Sequence, residues 1–262
     1  MTPILLLGAG RMGGALITGW RDAGAFQTSD IMVRDPLVSE ALVVSGASIN
    51  PPDADLALVK TVLLAVKPQY WRQACSAIVP HLSKDAVIVS IIAGVSAATI
   101  SDLFEGRRVA RCMPTTAVAI RQGAASLYAE DAGALVVARA LFEPVAKLVT
   151  LQSEDLLHAA TGVSGSSPAY LYAFVEGLEA AGVAAGLPLA DAQTLARATV
   201  AGAAALMSQS GEEPAELRRQ VTSPNGTTQA AVAVLMADGA LEKLLTETVV
   251  ACVARSKELA GS

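Results

Sequence analysis

Paired cysteines, an excess of basic residues and a long unbroken apolar run are all missing from this 262-residue chain. Its three cysteines, Cys75, Cys112 and Cys252, are scattered and odd in number. That argues against a disulfide framework or a metal site and fits a reducing compartment. Lys and Arg total 19 against 24 Asp and Glu, a net charge of −5, so the chain carries no electrostatic footprint for nucleic acid. The longest apolar stretch, Ala86 to Ile100, is interrupted by Gly94 and serines and falls short of the ~20 residues a membrane-spanning helix needs. Met1-Thr2-Pro3 leads straight into a strand-like run, so no signal or transit segment is expected, and the chain reads as soluble, cytoplasmic and without a membrane partner. Aromatic residues make up only 4% while alanine is abundant, so helices must pack through small side chains. There are two histidines, His81 and His158, and neither has a carboxylate or cysteine partner in a recognisable sequence arrangement. What is plentiful is apolar residues, 53% of the chain, enough for a large core in one or two domains.

The most informative stretch is Ile4-Leu5-Leu6-Leu7-Gly8-Ala9-Gly10-Arg11-Met12-Gly13. An apolar run feeds glycines spaced Gly-x-Gly-x-x-Gly, and a helical pattern follows at Ala15. In a strand-turn-helix unit the first glycine permits the tight turn and the second lets backbone approach a pyrophosphate. The third allows close helix–strand packing, and free N–H groups at the helix start hold the anion. The next strand-like run ends in Arg34-Asp35, about 20 residues on, where a dinucleotide fold places an acidic group for the adenosine ribose. Asp35 would accept from ribose hydroxyls and repel a 2′-phosphate, favouring NADH; Arg34 would offset this if it folded toward the adenosine.

Up to about residue 150 the chain alternates strand-like stretches (Ile4–Leu7, Asp30–Arg34, Thr61–Val66, Ala86–Ile91, Arg108–Cys112) with helix-like ones (Met12–Ala23, Val38–Ser45, Ala54–Val59, Tyr70–Val79, Ala97–Phe104). Ala124–Tyr128 reads as an added edge strand and Ala132–Lys147 as a further helix. This β-α repetition predicts a Rossmann-type, doubly wound, mostly parallel sheet with helices on both faces. From Glu154 onward nearly everything reads as helix, with stop and start signals at Gly186-Leu187-Pro188 and Ser223-Pro224. We therefore expect a dinucleotide-binding domain over residues 1–152 and an all-α domain over 153–262. Small residues surround the helices at Ala180–Ala185 and Ala198–Ala205, which suits a subunit interface as well as ordinary close packing.

In a doubly wound sheet the ligand lies beyond the carboxyl ends of the strands. Two such ends stand out: Ala65-Val66-Lys67-Pro68, and Ala93-Gly94 after Ser90-Ile91-Ile92. Small side chains there leave room for a flat ring, and Lys67 offers a cation, although a lysine at a turn is by default a surface residue. In the helical half, the turns Thr161–Tyr170 and Val221–Thr228 combine hydroxyls with helix starts. Each suits a substrate carboxylate and equally reads as a helix cap. A carbonyl substrate needs a proton donor such as His or Lys. A C=N substrate does not, because its protonated nitrogen already makes the carbon electrophilic. The pocket without an evident acid favours C=N, with Lys67 the open alternative.

Taken together and in order, Leu64 to Gln69, Ser90 to Ser96, Thr161 to Tyr170, Val221 to Thr228 and Arg255-Ser256-Lys257-Glu258-Leu259 resemble pyrroline-5-carboxylate reductase over essentially the whole chain. The resemblance implies NADH- or NADPH-dependent reduction of 1-pyrroline-5-carboxylate to L-proline, the last step of proline biosynthesis, in a homodimer or higher homo-oligomer with its active site at the dimer interface. It further implies that Gly8, Ala9, Gly10, Arg11, Met12 and Gly13 hold the pyrophosphate. Arg34 and Asp35 would face the adenosine, and Ala65, Val66, Lys67, Pro68, Ala93 and Gly94 would line the rest of the cofactor. Ser223 and the N–H groups of Gly226, Thr227 and Thr228 would take the substrate carboxylate. The Thr228 hydroxyl would serve the ring nitrogen as the catalytic group, and Glu154 would lie near the substrate.

The sequence departs from the family pattern at Thr115 and Ala117, where Met-Pro-Asn-Thr-Pro is usual, at Ser167 for a glycine, and at Asn225 for a glycine. These departures leave open a reductase of another cyclic imine, or a sensor that binds NAD(P) without turnover. A 3-hydroxy acid dehydrogenase would need a catalytic lysine in the helical half, and Ala169 to Leu189 contains none.

Overall fold

The computed structural model describes residues 1–38, 40–43 and 46–261. The elements run β1 (Ile4–Leu7), α1 (Arg11–Ala23), β2 (Ile31–Arg34), α2 (Glu40–Val43), β3 (Ser48–Ile49), β4 (Thr61–Leu64), α3 (Trp71–Ser76), β5 (Val87–Ser90), α4 (Ala97–Leu103) and β6 (Val109–Pro114). Then come β7 (Gly123–Tyr128), α5 (Ala132–Phe142), β8 (Ala146–Thr150), α6 (Leu156–Ala160), α7 (Ser167–Ala184), α8 (Leu189–Ser210), α9 (Pro214–Gln220), α10 (Thr227–Met236) and α11 (Ala240–Gly261). The chain divides into two units. Residues 1–165 form the first together with the C-terminal stretch from Ala251, and Ser166–Val250 form the second.

The first unit is a single eight-stranded sheet in the order β3-β2-β1-β4-β5-β6-β7-β8. All pairings are parallel except β6–β7. The central strands β1 and β4 are wholly buried, as continuous apolar runs covered on both faces should be. Alternation along β1 then splits the core. Ile4 and Leu6 pack with Leu16 and Trp20 of α1 and with Phe142 of α5, whereas Leu5 and Leu7 pack with Trp71, Ile100 and Phe104 on the α3/α4 side. Trp20 is fully buried on the first of these faces, and its indole N–H donates to the Leu141 carbonyl at 2.7 Å.

Some elements differ from the sequence pattern. Gly123–Tyr128 is not an edge strand. It pairs antiparallel with β6 and parallel with β8, so β8 is the edge. The helix expected through Lys147 stops at Phe142, and Ala146–Thr150 leaves it to extend the sheet. Residues Asp53–Leu58 form 3-10 turns rather than an α-helix, directly after Pro51-Pro52. The helix expected over Val38–Ser45 is described at Glu40–Val43; residues 39, 44 and 45 lie outside the described residues.

The second unit is entirely helical. α7 and α8 are joined by a turn at Gly186-Leu187-Pro188, and Gly182 brings α7 against Ala192 of α8. Arg197 donates to Glu179 across this hairpin at 2.8 Å. Only Ala192 and Ala196 are buried, while Tyr172, Phe174, Val234 and Leu244 are exposed. A unit of this length with two buried alanines lacks a core of its own.

Candidate active site

The carboxyl ends of the strands form one row, because Arg34, Leu7, Leu64, Ser90 and Arg111 are in register across β2, β1, β4, β5 and β6. The residue after each of the first four therefore stands on the same rim: Asp35, Gly8, Ala65 and Ile91. The ladder reaches the rim itself, with Gly8 N–H donating to Arg34 O at 2.8 Å and Ala65 N–H to Leu7 O at 2.8 Å. Between β1 and β4 the chain order reverses, since β1 leads outward to β2 and β3 while β4 leads to β5 and β6. Such a switch point leaves a crevice that neighbouring crossovers do not cover.

The glycine turn sits at this crevice. Gly8 has φ +97°, and a Cβ there would lie 2.8 Å from the Ala65 carbonyl oxygen. A Cβ on Gly13 would overlap the Gly8 carbonyl oxygen, so α1 can start against the strand only through glycine. Gly10 is different, for a Cβ there would meet nothing within 4 Å. Its missing side chain leaves exposed space in front of the N-terminus of a 13-residue helix. That is the cradle a pyrophosphate requires, and the residues fit a dinucleotide.

Asp35 is tightly fixed at the second strand end. Its Oδ2 accepts from Ala9 N–H at 2.6 Å and its Oδ1 from Leu37 N–H at 2.7 Å. The Asn50 side chain clamps its backbone in both directions at 3.1 Å. Arg34 turns elsewhere: its Nη2 donates to Pro51 O and to Asp53 Oδ1, both at 2.6 Å. Asp53 also faces His81 Nε2 at 3.4 Å. The hydrogen bond from Arg34 comes first in holding the Asp53 carboxyl below its usual range, with the nearby His81 charge adding to it. His158 lies 4.0 Å from Asp155 and shares a 2.8 Å hydrogen bond with Ser256. Both histidines thus have carboxylate neighbours, His81 through a residue 28 positions away that no local pattern reveals.

On the other side of the crevice, Ala65 and Val66 are half-buried, and Lys67 is exposed at the turn that Pro68 starts. Ala93 is exposed, and Gly94 has φ +75° with its Cα facing the last turn of α11, where a Cβ would meet the Leu259 carbonyl oxygen at 2.7 Å. This loop is anchored from below. Glu154 Oε1 accepts from Arg111 Nη1 at 2.9 Å and from Ala97 N–H at 2.7 Å, and Arg111 Nη2 donates to Ile92 O at 3.4 Å. Arg111 is buried. Glu154 is thereby engaged with the loop that carries Ala93 and Gly94. Arg111, Asn50 and Asp53 all escape sequence reading, because each acts on a partner 15 or more positions away. Thr115, one of the departures from the family pattern, is also structural: its Oγ1 accepts from Ala124 N–H at 3.1 Å and closes the β6–β7 connection.

Thr161–Gly165 forms a π-helical turn between α6 and α7, and Gly165 packs against Met113 of β6. Such turns mark functional sites in many helices. In the helical unit, Ser223 to Gly226 leads into α10. Asn225 takes φ +58°, a conformation Asn tolerates better than other side chains, so its replacement of glycine leaves the turn intact. Gly226 N–H donates to Ser223 O at 3.1 Å, and Asn225 N–H donates to Gln229 Oε1 at 2.5 Å. Thr227 and Thr228 then open α10, where no preceding turn supplies carbonyl partners for their N–H groups.

Comparison with known proteins places this geometry. Residues 154–259 match the family described as pyrroline-5-carboxylate reductase dimerisation. Residues 3–94 match the family described as NADP oxidoreductase coenzyme F420-dependent. A Pseudomonas aeruginosa protein named pyrroline-5-carboxylate reductase is 38% identical over 98% of this chain and 96% of its own length. A Bacillus subtilis protein named pyrroline-5-carboxylate reductase 2 is 33% identical over 99% of this chain and 95% of its own. The solved structure of a pyrroline-5-carboxylate reductase from Coxiella burnetii covers 99% of this chain and 98% of that one, at 29% identity and a TM-score of 0.89. The chain belongs to the pyrroline-5-carboxylate reductase family.

Proposed function

We propose that this protein reduces 1-pyrroline-5-carboxylate to L-proline with NADH or NADPH, as the last step of proline biosynthesis. The observation that carries the reading is family membership over the full length of the chain. The glycine turn adds a physical warrant, with an unobstructed approach at Gly10.

In this reading Gly8, Ala9, Gly10, Arg11, Met12 and Gly13 hold the pyrophosphate, and Arg34 and Asp35 stand at the adenosine end. Ala65, Val66, Lys67 and Pro68, with Ala93 and Gly94, border the remainder of the cofactor. When bound, the reduced nicotinamide supplies a hydride to C5 of the protonated imine, whose C=N electron pair passes to nitrogen. The chain's own task is to bind, orient and exclude water. The Ser223 hydroxyl and the N–H groups of Thr227 and Thr228 take the substrate carboxylate at the positive end of α10. Gly226 shapes that turn, its own N–H being used by Ser223. The Thr228 hydroxyl bonds the ring nitrogen as the catalytic group. Glu154 contributes through the Ile92–Ala97 loop it anchors.

We assign residues 1–152 to cofactor binding and 153–262 to substrate binding and dimerisation, in a cytoplasmic protein whose minimal unit is a homodimer. The coreless helical unit supports the dimer, and the odd number and scattered positions of the cysteines support the compartment. Thr228→Ala tests the central assignment. Turnover should fall about 10²-fold with the cofactor dissociation constant unchanged, measured by steady-state kinetics and equilibrium titration. Unchanged turnover would remove Thr228 from the site.

A further inference from the structure

We propose that this chain selects NADH over NADPH, with Asp35 as the specificity-determining residue and Asp53 as a positioning residue that keeps Arg34 from reversing the choice. This rests on the reading that the Gly8–Gly13 turn holds a dinucleotide. The Asp35 carboxylate is fixed in place. It caps Ala9 N–H within the glycine turn at 2.6 Å and Leu37 N–H at 2.7 Å, and Asn50 holds its backbone from both sides. Each carboxylate oxygen keeps a second lone pair, so two ribose hydroxyls can donate to it without disturbing the turn. A 2′-phosphate offers no such donors and brings negative charge against a carboxylate that cannot swing away.

An NADPH site needs donors or cations beside the acidic position. The residues after Asp35 are Pro36, Leu37 and Val38, which supply no charge and no hydroxyl, and Pro36 has no N–H. Arg34 is the adjacent cation, and it is committed elsewhere. Its guanidinium donates to the Pro51 carbonyl and to Asp53, and its stem is held so that Nε is buried without a partner. Arg11 stands on the glycine turn at the start of α1, where it serves the pyrophosphate common to both cofactors and does not discriminate.

Equilibrium titration of the purified full-length protein with NADH and with NADPH, by calorimetry, tests this without turnover. The wild type should bind NADH roughly ten-fold or more tightly than NADPH, the cost of a like-charge contact. Asp35→Asn keeps an acceptor oxygen but loses the charge, and should bring the two constants within about three-fold, chiefly by tightening NADPH. Adding Asp53→Ala removes the ion pair that helps hold Arg34 and should tighten NADPH by a further ~2- to 5-fold, the scale of an exposed ion pair. Adding Arg34→Ala should abolish that last gain. NADPH binding equal to or tighter than NADH in the wild type overturns the proposal, and so does an unchanged ratio in Asp35→Asn. Binding of neither nucleotide to the wild type overturns the underlying dinucleotide reading as well, so the two failures are told apart.

Discussion

Single positions set what the glycine turn can do. Gly13 lies so close to the Gly8 carbonyl that any Cβ overlaps it, and the rigid backbone cannot yield as a side chain would. Gly13→Ala should destabilise the protein by about 1–3 kcal/mol and weaken NADH binding, read by thermal unfolding and fluorescence titration. An unchanged melting temperature would contradict the packing argument. The thiols offer a second test. Burial pushes the Cys75 thiol up to about 12 and the Cys112 thiol higher still, so both are held as thiols at neutral pH. A thiol reagent at neutral pH should leave both unmodified until the chain is unfolded, when all three cysteines should react. The Asp53 carboxyl, held below its usual 3.8 by Arg34, gives stability that is present above pH 3.8 and lost as pH falls through the lowered value. The stability difference between wild type and Asp53→Asn should therefore stay constant down to about pH 4 and shrink only below it. At this scale the glycines and Asp35 were legible because a pyrophosphate cradle demands them at fixed spacing. Asn50, Asp53 and Arg111 were not, since their partners are distant in sequence and adjacent only after folding.

Elements show where local pattern yields to context. The strands β1, β4 and β5 announce themselves as short apolar runs ended by Gly or Pro turns, and their register follows from burial on both faces. Ala132–Lys147 reads as one helix because alanine, leucine and valine run through it, yet Ala146–Thr150 pairs with β7. Pro144 is the local signal that separates them: it cannot continue the helix that ends at Phe142, and the run beyond it pairs with β7. Glu154 was expected near the substrate, and what the structure shows is a carboxylate bonded within the protein. Its carboxylate joins Arg111 of β6 to the first N–H of α4, and so fixes the loop bearing Ala93 and Gly94. Glu154→Ala would leave the buried Arg111 charge unpaired, at a cost of about 2–4 kcal/mol. It should also raise the KM for cofactor more than it lowers kcat, measured by steady-state kinetics on protein shown to be folded. Native stability in Glu154→Ala would rule out the anchoring role.

As a whole molecule, the chain contrasts a well-filled sheet unit with a helical unit that buries only two alanines among its apolar residues. The change of character after residue 150 was readable from the loss of β-α alternation. The need for a partner was readable only in part, because alanine-rich helices pack closely within one chain or between two. The exposed Phe174 and Val234 settle into a subunit interface in this account, so Phe174→Arg should yield monomers and inactive protein by light scattering and assay. Dimers of undiminished activity would contradict it. Reduction of a cyclic imine carbon by the cofactor held at Gly8–Gly13 can be followed with NADH deuterated at C4. Incubation with 1-pyrroline-5-carboxylate should give L-proline carrying one deuterium at C5, detected by mass spectrometry and NMR. Absence of proline, or proline without the label, would contradict the account.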